Sequence, residues 1–149
     1  MLVHRYVEHG NYTYYMLHAQ SFLQDYVHWC NTTLTERHAM QPFACLLLEV
    51  CALALQGSGS DALAQHIEHE LGEPSATVSH RLHVTAMQLS NSLRPGVGGV
   101  HKGLQLLLGA AWCKSEGRIA EAWHHVASAV REGQECGMST RYSLCGRIC

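Results

Sequence analysis

Between Gly57 and Gly137 apolar residues recur with the helical period and turn residues separate the segments, while no stretch alternates apolar and polar β-branched residues as a strand would. This predicts an all-α chain, an irregular multi-helix bundle ending in an antiparallel helical hairpin. At the start, Leu2, Tyr6 and His9 predict a short helix ending at Gly10. The tract from Asn11 to Tyr15 leans towards β composition, which a short extended connector explains equally well. Ser21 is placed to cap a helix carrying Phe22, Tyr26 and Trp29 on one face, and the polar stretch from Asn31 to Met40 reads as a loop. Pro42 suits a first helical turn, where its missing N–H costs nothing, and Phe43, Leu46, Leu47, Val50 and Ala54 continue that helix. Gly57 to Ser60 ends it and Asp61 caps the next, in which Leu63, Ile67 and Leu71 repeat every fourth residue before Gly72 followed by Glu73-Pro74 closes it. A longer helix over 75–93 places Val78, Leu82, Ala86, Leu89 and Leu93 inward, and Arg94 to Gly99 is a loop.

The strongest periodicity comes last. Leu104, Leu107, Leu108, Ala111 and Trp112 follow the i, i+3, i+4, i+7, i+8 rule, and Ile119, Ala122, Trp123, Val126, Ala129 and Val130 repeat it. The link from Ser115 to Arg118 is short enough to fold the two helices antiparallel. Small residues, Gly109, Ala110 and Ala111 against Ala122, Ala127 and Ala129, are expected to let them approach closely, with Gly137 as the terminal cap. The tail from Met138 to Cys149 has no period.

Length and composition narrow the class. The chain of 149 residues suits one domain. With 47% apolar and 15% charged residues it is too apolar for disorder and poor in charge for a free-standing surface, so part of that surface is expected to face a partner or further chain. The net charge of -2 and the absence of a basic stripe argue against direct nucleic-acid contact. The opening residues carry no targeting pattern, and the longest apolar stretch, Phe43 to Leu55, is interrupted by Glu49 and falls short of the ~20 residues that cross a bilayer. Seven cysteines, an odd number, suggest reduced thiols in cytosol or nucleus, which makes the sequons at Asn11 and Asn31 chance matches.

Candidate chemistry is sparse at this level. His66 with His69, and His80 with His83, stand three apart and could share a helix face, but two ligands do not make a metal site and neither HExxH nor HxxEH occurs. His124 and His125 are adjacent and diverge on a helix. The loop from Gly96 to Lys102 lacks a preceding strand and the glycine and hydroxyl positions of a phosphate loop. Glu49 within an apolar helix would have a raised pKa if buried, with no second carboxylate near it in sequence to form a dyad. Cys45, Cys51 and Cys113 read as small apolar packing, since nothing in the sequence places a thiol beside a histidine. Trp29, Trp112 and Trp123 read first as core and hairpin packing and second as the lining of an interhelical ligand pocket. No residue is singled out as catalytic, cofactor-binding, metal-binding or DNA-contacting, no cofactor is expected, and the chain is not expected to be an enzyme.

A resemblance gives these observations a direction. The stretch Leu104-Gln-Leu-Leu-Leu-Gly-Ala-Ala-Trp112, followed by Glu116-Gly-Arg118, Glu121-Ala-Trp-His124 and Ala129-Val-Arg-Glu-Gly-Gln-Glu-Cys-Gly137-Met138, resembles the helical hairpin of the fungal-specific transcription factor domain, the regulatory middle region of fungal zinc-cluster transcription factors. His18-Ala-Gln-Ser-Phe-Leu-Gln-Asp-Tyr26 is similar to that family's opening segment, and Pro42 to Gln56 to its next apolar helix. Ala19-Gln20 lacks the family's proline, and Gly137-Met138-Ser139 stands where Gly-Leu-His is usual. The CxxC spacings of the family's zinc cluster are missing; the close pairs are Cys45 with Cys51 and Cys145 with Cys149. The resemblance implies a partial regulatory domain over 1–138 and an irregular tail over 139–149, located in the nucleus, without the zinc-cluster DNA-binding domain. It further implies a small-molecule effector or a co-regulator protein as partner. The alternative is a stand-alone protein-interaction module of the helical-repeat type, although such arrays need about three or more repeats and one hairpin is present. If further helices normally cover the hairpin, an exposed apolar face and self-association are expected.

Overall fold

The computed structural model of the chain describes residues 1–13, 15–57 and 61–137. The helices are α1 (Leu2–Arg5), α2 (Ala19–Asn31), α3 (Leu34–Ala39), α4 (Gln41–Gln56), α5 (Ala62–Leu71), α6 (Ser75–Ser92), α7 (Gly99–Ser115) and α8 (Ile119–Glu135), and no strand occurs among the described residues. The fold is therefore an all-α multi-helix bundle. None of the described helices is long and apolar enough to cross a membrane.

Helix α4 is the axis of the bundle. Its sequence is apolar almost all round, which suits a helix enclosed on every side. Phe43, Cys45, Leu46, Val50, Ala52 and Leu55 are all buried, with α6 and α7 packed along two of its faces and α1 against a third. Val3, Tyr6, Leu17 and Phe22 close that third side, where Phe43 meets Phe22 at 5.7 Å and Trp29 at 6.0 Å between ring centroids. Helix α7 is sandwiched between α4 and α8, and buries Leu106, Leu108, Ala110, Trp112 and Cys113. Helix α8 rests almost wholly on α7.

The turn between them has a local cause. The N–H of Arg118 reaches the carbonyl of Cys113 at 2.8 Å and the N–H of Gly117 that of Lys114 at 3.1 Å, the paired bonds of a Schellman cap, with Gly117 in the left-handed region at φ 73°. Asp61 caps α5 as expected, its carboxylate accepting from the N–H of Ala64 at 3.0 Å, and it also pairs with Arg5, which ties α1 to α5. Gly72 ends α5 in the left-handed conformation.

Several expectations change. The loop expected over 31–40 contains α3, started by a capping box in which Glu36 Oε2 accepts from both the N–H and the hydroxyl of Thr33 at 2.9 Å. Helix α2 starts two residues before Ser21, with His18 as its N-cap. Within the tract after Gly10, Asn11–Thr13 is a 3-10 turn rather than extended chain, and the buried Asn11 amide pairs with both backbone groups of Leu17, donating at 2.8 Å and accepting at 3.0 Å. Leu71 is exposed, and α5 buries Ala64 instead. On α6 the fully buried positions include Ser79, His83 and Ser90 beside Val78 and Ala86, while Leu82 and Leu89 are half-buried. Gly109 faces His83, Met87 and Glu49 rather than α8, and Ala127 is exposed, while Ala110, Ala111 and Ala122 line a cavity between the two helices. The tail over 139–149 lies outside the described residues.

Candidate functional site

Two features could carry function: a polar cluster inside the bundle and an apolar groove on the hairpin. The cluster begins at Glu49, on α4, whose side chain is fully buried. Its Oε1 lies 2.7 Å from Nδ1 of His83 on α6, while its Oε2 has no partner in hydrogen-bonding geometry. Burial pushes the Glu49 carboxyl above its ordinary range, and the His83 contact, followed by that of Gln105, draws it part of the way back. A proton on Nδ1 satisfies the Glu49 bond, which leaves the Nε2 lone pair facing Cys113 Sγ on α7 at 3.8 Å. The His83 ring stacks on Trp112, 4.1 Å between centroids and 11° between planes, and meets His125 of α8 edge-on at 6.0 Å. Donor atoms of His83, Cys113 and His125 all lie within 4.8 Å of one another.

One turn along, a second chain of bonds holds the same helices. Trp112 Nε1 donates to Ser79 Oγ at 2.9 Å, and Ser79 Oγ donates to the carbonyl of Ala52 at 2.8 Å. Ser79 and His83 are four apart on α6, so one face of that helix delivers both polar groups to α4 and α7.

The carboxylate, imidazole and thiol stand in the order of a cysteine nucleophile with its base and orienting group. Access argues against that chemistry, because Cys113 is fully buried. Burial also pushes its thiol up to about 11, the reverse of the activation a nucleophile needs.

The groove lies on the open side of the hairpin. A cavity of about 400 Å³ is lined by Met16, Leu107, Ala110, Ala111, Ile119, Ala122, Trp123 and Val126, with Lys114 at its edge. That volume is within the range of small-molecule sites, roughly 300–1,000 Å³. A second apolar cleft of about 340 Å³, between Val100, Leu104 and Val130, continues the strip along α7 and α8. Ile119, Trp123 and Val130, read from periodicity as inward, are 51%, 70% and 55% exposed. Trp123 is therefore a groove residue and not a core one, whereas Trp112 is core and Trp29 is half-buried.

The remaining candidates do not assemble. His66 and His69 are both exposed on α5, and His80 is exposed while His83 is buried, so neither pair converges. Lys102, at the end of the glycine loop, is taken up by Glu132 of α8 in a largely buried ion pair of 3.1 Å. Cys45 and Cys51 are packing residues, and burial raises each thiol to about 11. In the sequence Glu49 stands out by itself and His83 and Cys113 stand apart from it, because their meeting spans 30 to 64 positions and no local spacing announces it. Comparison with family models, with curated proteins and with solved structures finds no match to this chain.

Proposed function

We propose that the chain is the regulatory, non-DNA-contacting domain of a fungal transcription regulator, acting in the nucleus without catalysis of its own and responding to a small apolar effector held between α7 and α8. The family likeness of the hairpin motifs supports the first part of this reading. The observation that carries the second is the groove: an apolar cavity of about 400 Å³ with an aromatic side chain, Trp123, standing 70% exposed on its wall. Lone exposed apolar residues are ordinary, but a continuous lined strip on one face marks an interaction site. An effector there acts by differential affinity, favouring the hairpin geometry in which Trp123 and Leu107 close on it.

The test places the chain between a heterologous DNA-binding domain and an activating segment in a yeast reporter strain, and compares it with Ala111→Phe, which fills the groove. The expected result is an output that changes with growth medium for the parent and is constant for the variant. An output equal to that of a fusion lacking the chain, in every medium, would sink the proposal.

A second reading is favoured by the length of the strip. From Ile119 to Val130 it runs about 16 Å, at 1.5 Å per residue, enough for three turns of an amphipathic helix from a co-regulator. In that case soluble apolar compounds leave Trp123 fluorescence unchanged while an amphipathic helical peptide shifts it.

A further inference from the structure

We infer that His83, Cys113 and His125 form a zinc-binding site that pins α8 to the centre of the bundle, with Glu49 as the positioning residue behind His83. The inference stands apart from the effector groove, which lies on the other side of the hairpin's contacts and shares none of these residues.

The donor set is one sulfur and two imidazole nitrogens, a mixed set that suits the borderline-soft zinc ion. Zinc binds nitrogen at about 2.0–2.1 Å and thiolate sulfur at about 2.3 Å, so tetrahedral donors stand about 3.3–3.6 Å apart. His83 Nε2 and Cys113 Sγ are already at 3.8 Å, and the three donors fall within 4.8 Å of one another. Closing the set takes a contraction of about 1 Å. That movement falls to His125, which is half-buried and at the rim, and not to the enclosed His83 and Cys113.

Glu49 makes the arrangement more than a coincidence of three side chains. A metal-ligating histidine commonly donates its other ring N–H to a carboxylate, which fixes the tautomer and the ring orientation. The 2.7 Å bond from His83 Nδ1 to Glu49 does so here, and turns Nε2 towards the thiol. Charge balance agrees. A fully buried carboxylate with one oxygen unpartnered is costly as it stands. Together with a Cys113 thiolate it offsets the two positive charges of zinc. His125 also lines a polar cleft of about 370 Å³ with His124, Lys102 and Glu132, so the outermost of the three donors borders solvent while His83 and Cys113 stay enclosed.

The full chain, stripped with a chelator, is titrated with cobalt(II) and then zinc(II). The expected result is one cobalt per chain, a thiolate-to-cobalt charge-transfer absorption with tetrahedral visible bands, and their loss on adding zinc. Zinc at a hundred times its dissociation constant raises Tm by about 5–10 °C. Cys113→Ser removes the charge-transfer absorption, Glu49→Gln weakens binding about 10- to 100-fold, and the double variant His66→Ala, His69→Ala changes nothing. Should Cys113→Ser fail to fold by circular dichroism, His125→Gln, at the half-buried edge, decides by losing stoichiometric binding. Absence of the charge-transfer absorption in the parent, unchanged binding in His125→Gln, or loss of binding in the exposed-histidine control overturns the inference.

Discussion

Trp112 illustrates how much a single side chain does in this core. It stacks on His83, donates to Ser79 and fills the space between α4 and α6. Trp112→Phe would keep most of the apolar volume but leave the Ser79 oxygen without its donor, a loss of about 1–3 kcal/mol readable as a lower urea midpoint at unchanged slope. Gly109 predicts the opposite sign. A methyl group there would meet His83, Met87 and Glu49 at 3.6–3.7 Å, ordinary contact, so the helical glycine is not required by space. Gly109→Ala should therefore stabilise the chain by up to about 1 kcal/mol; a destabilised variant would show that α7 must move against the Glu49–His83 pair. Legibility at this scale was partial. Glu49 stands out as a carboxylate in an apolar run, but nothing local reveals that His83, and not His80, turns to meet it.

Helix starts carry much of the surface electrostatics. The N–H of Ala64, and then Arg5, hold Asp61 below its ordinary 3.8; Thr33 holds Glu36 below 4.5; the N–H of Ser75 does the same for Glu68. Each folded pKa is below the unfolded one, so the contribution is fully present above about pH 4–5 and is lost as the pH falls through the folded values. Tm should accordingly drop between about pH 5 and 3, and the combined variant Asp61→Asn, Glu36→Gln, Glu68→Gln should flatten that drop. An equally steep profile in the variant would place the acid sensitivity elsewhere. The caps were also where elements could be read best. Asp61 and Gly72 are legible because each acts within four residues, while α3 is not, although Thr33 and Glu36 spell a capping box, since its body lacks an apolar period.

Across the whole molecule the exposed strip on the hairpin dominates behaviour in solution. Chains presenting Trp123, Ile119 and Val130 outward are expected to associate through that face at high concentration. Trp123→Asp should shift sedimentation towards monomer while changing unfolding free energy by no more than about 0.5 kcal/mol, the usual scale for an exposed position. Concentration-independent sedimentation of the parent would remove the strip as an association surface. Here periodicity identified the right residues on α8 and the wrong destination for half of them. A 3.6-residue pattern tells which side of a helix is apolar, and only the neighbours decide whether that side is covered.

Because α8 leans on α7 and barely touches the other helices, the bundle has a layered hierarchy of opening. Amide hydrogens of α8 should exchange with solvent deuterium through excursions that leave α4 and α7 closed, whereas those of Leu46, Val50 and Leu108 should exchange only when the whole chain unfolds. Among the described helices, α8 is thus a segment whose attachment a bound molecule or ion could adjust while α4 and α7 stand unchanged.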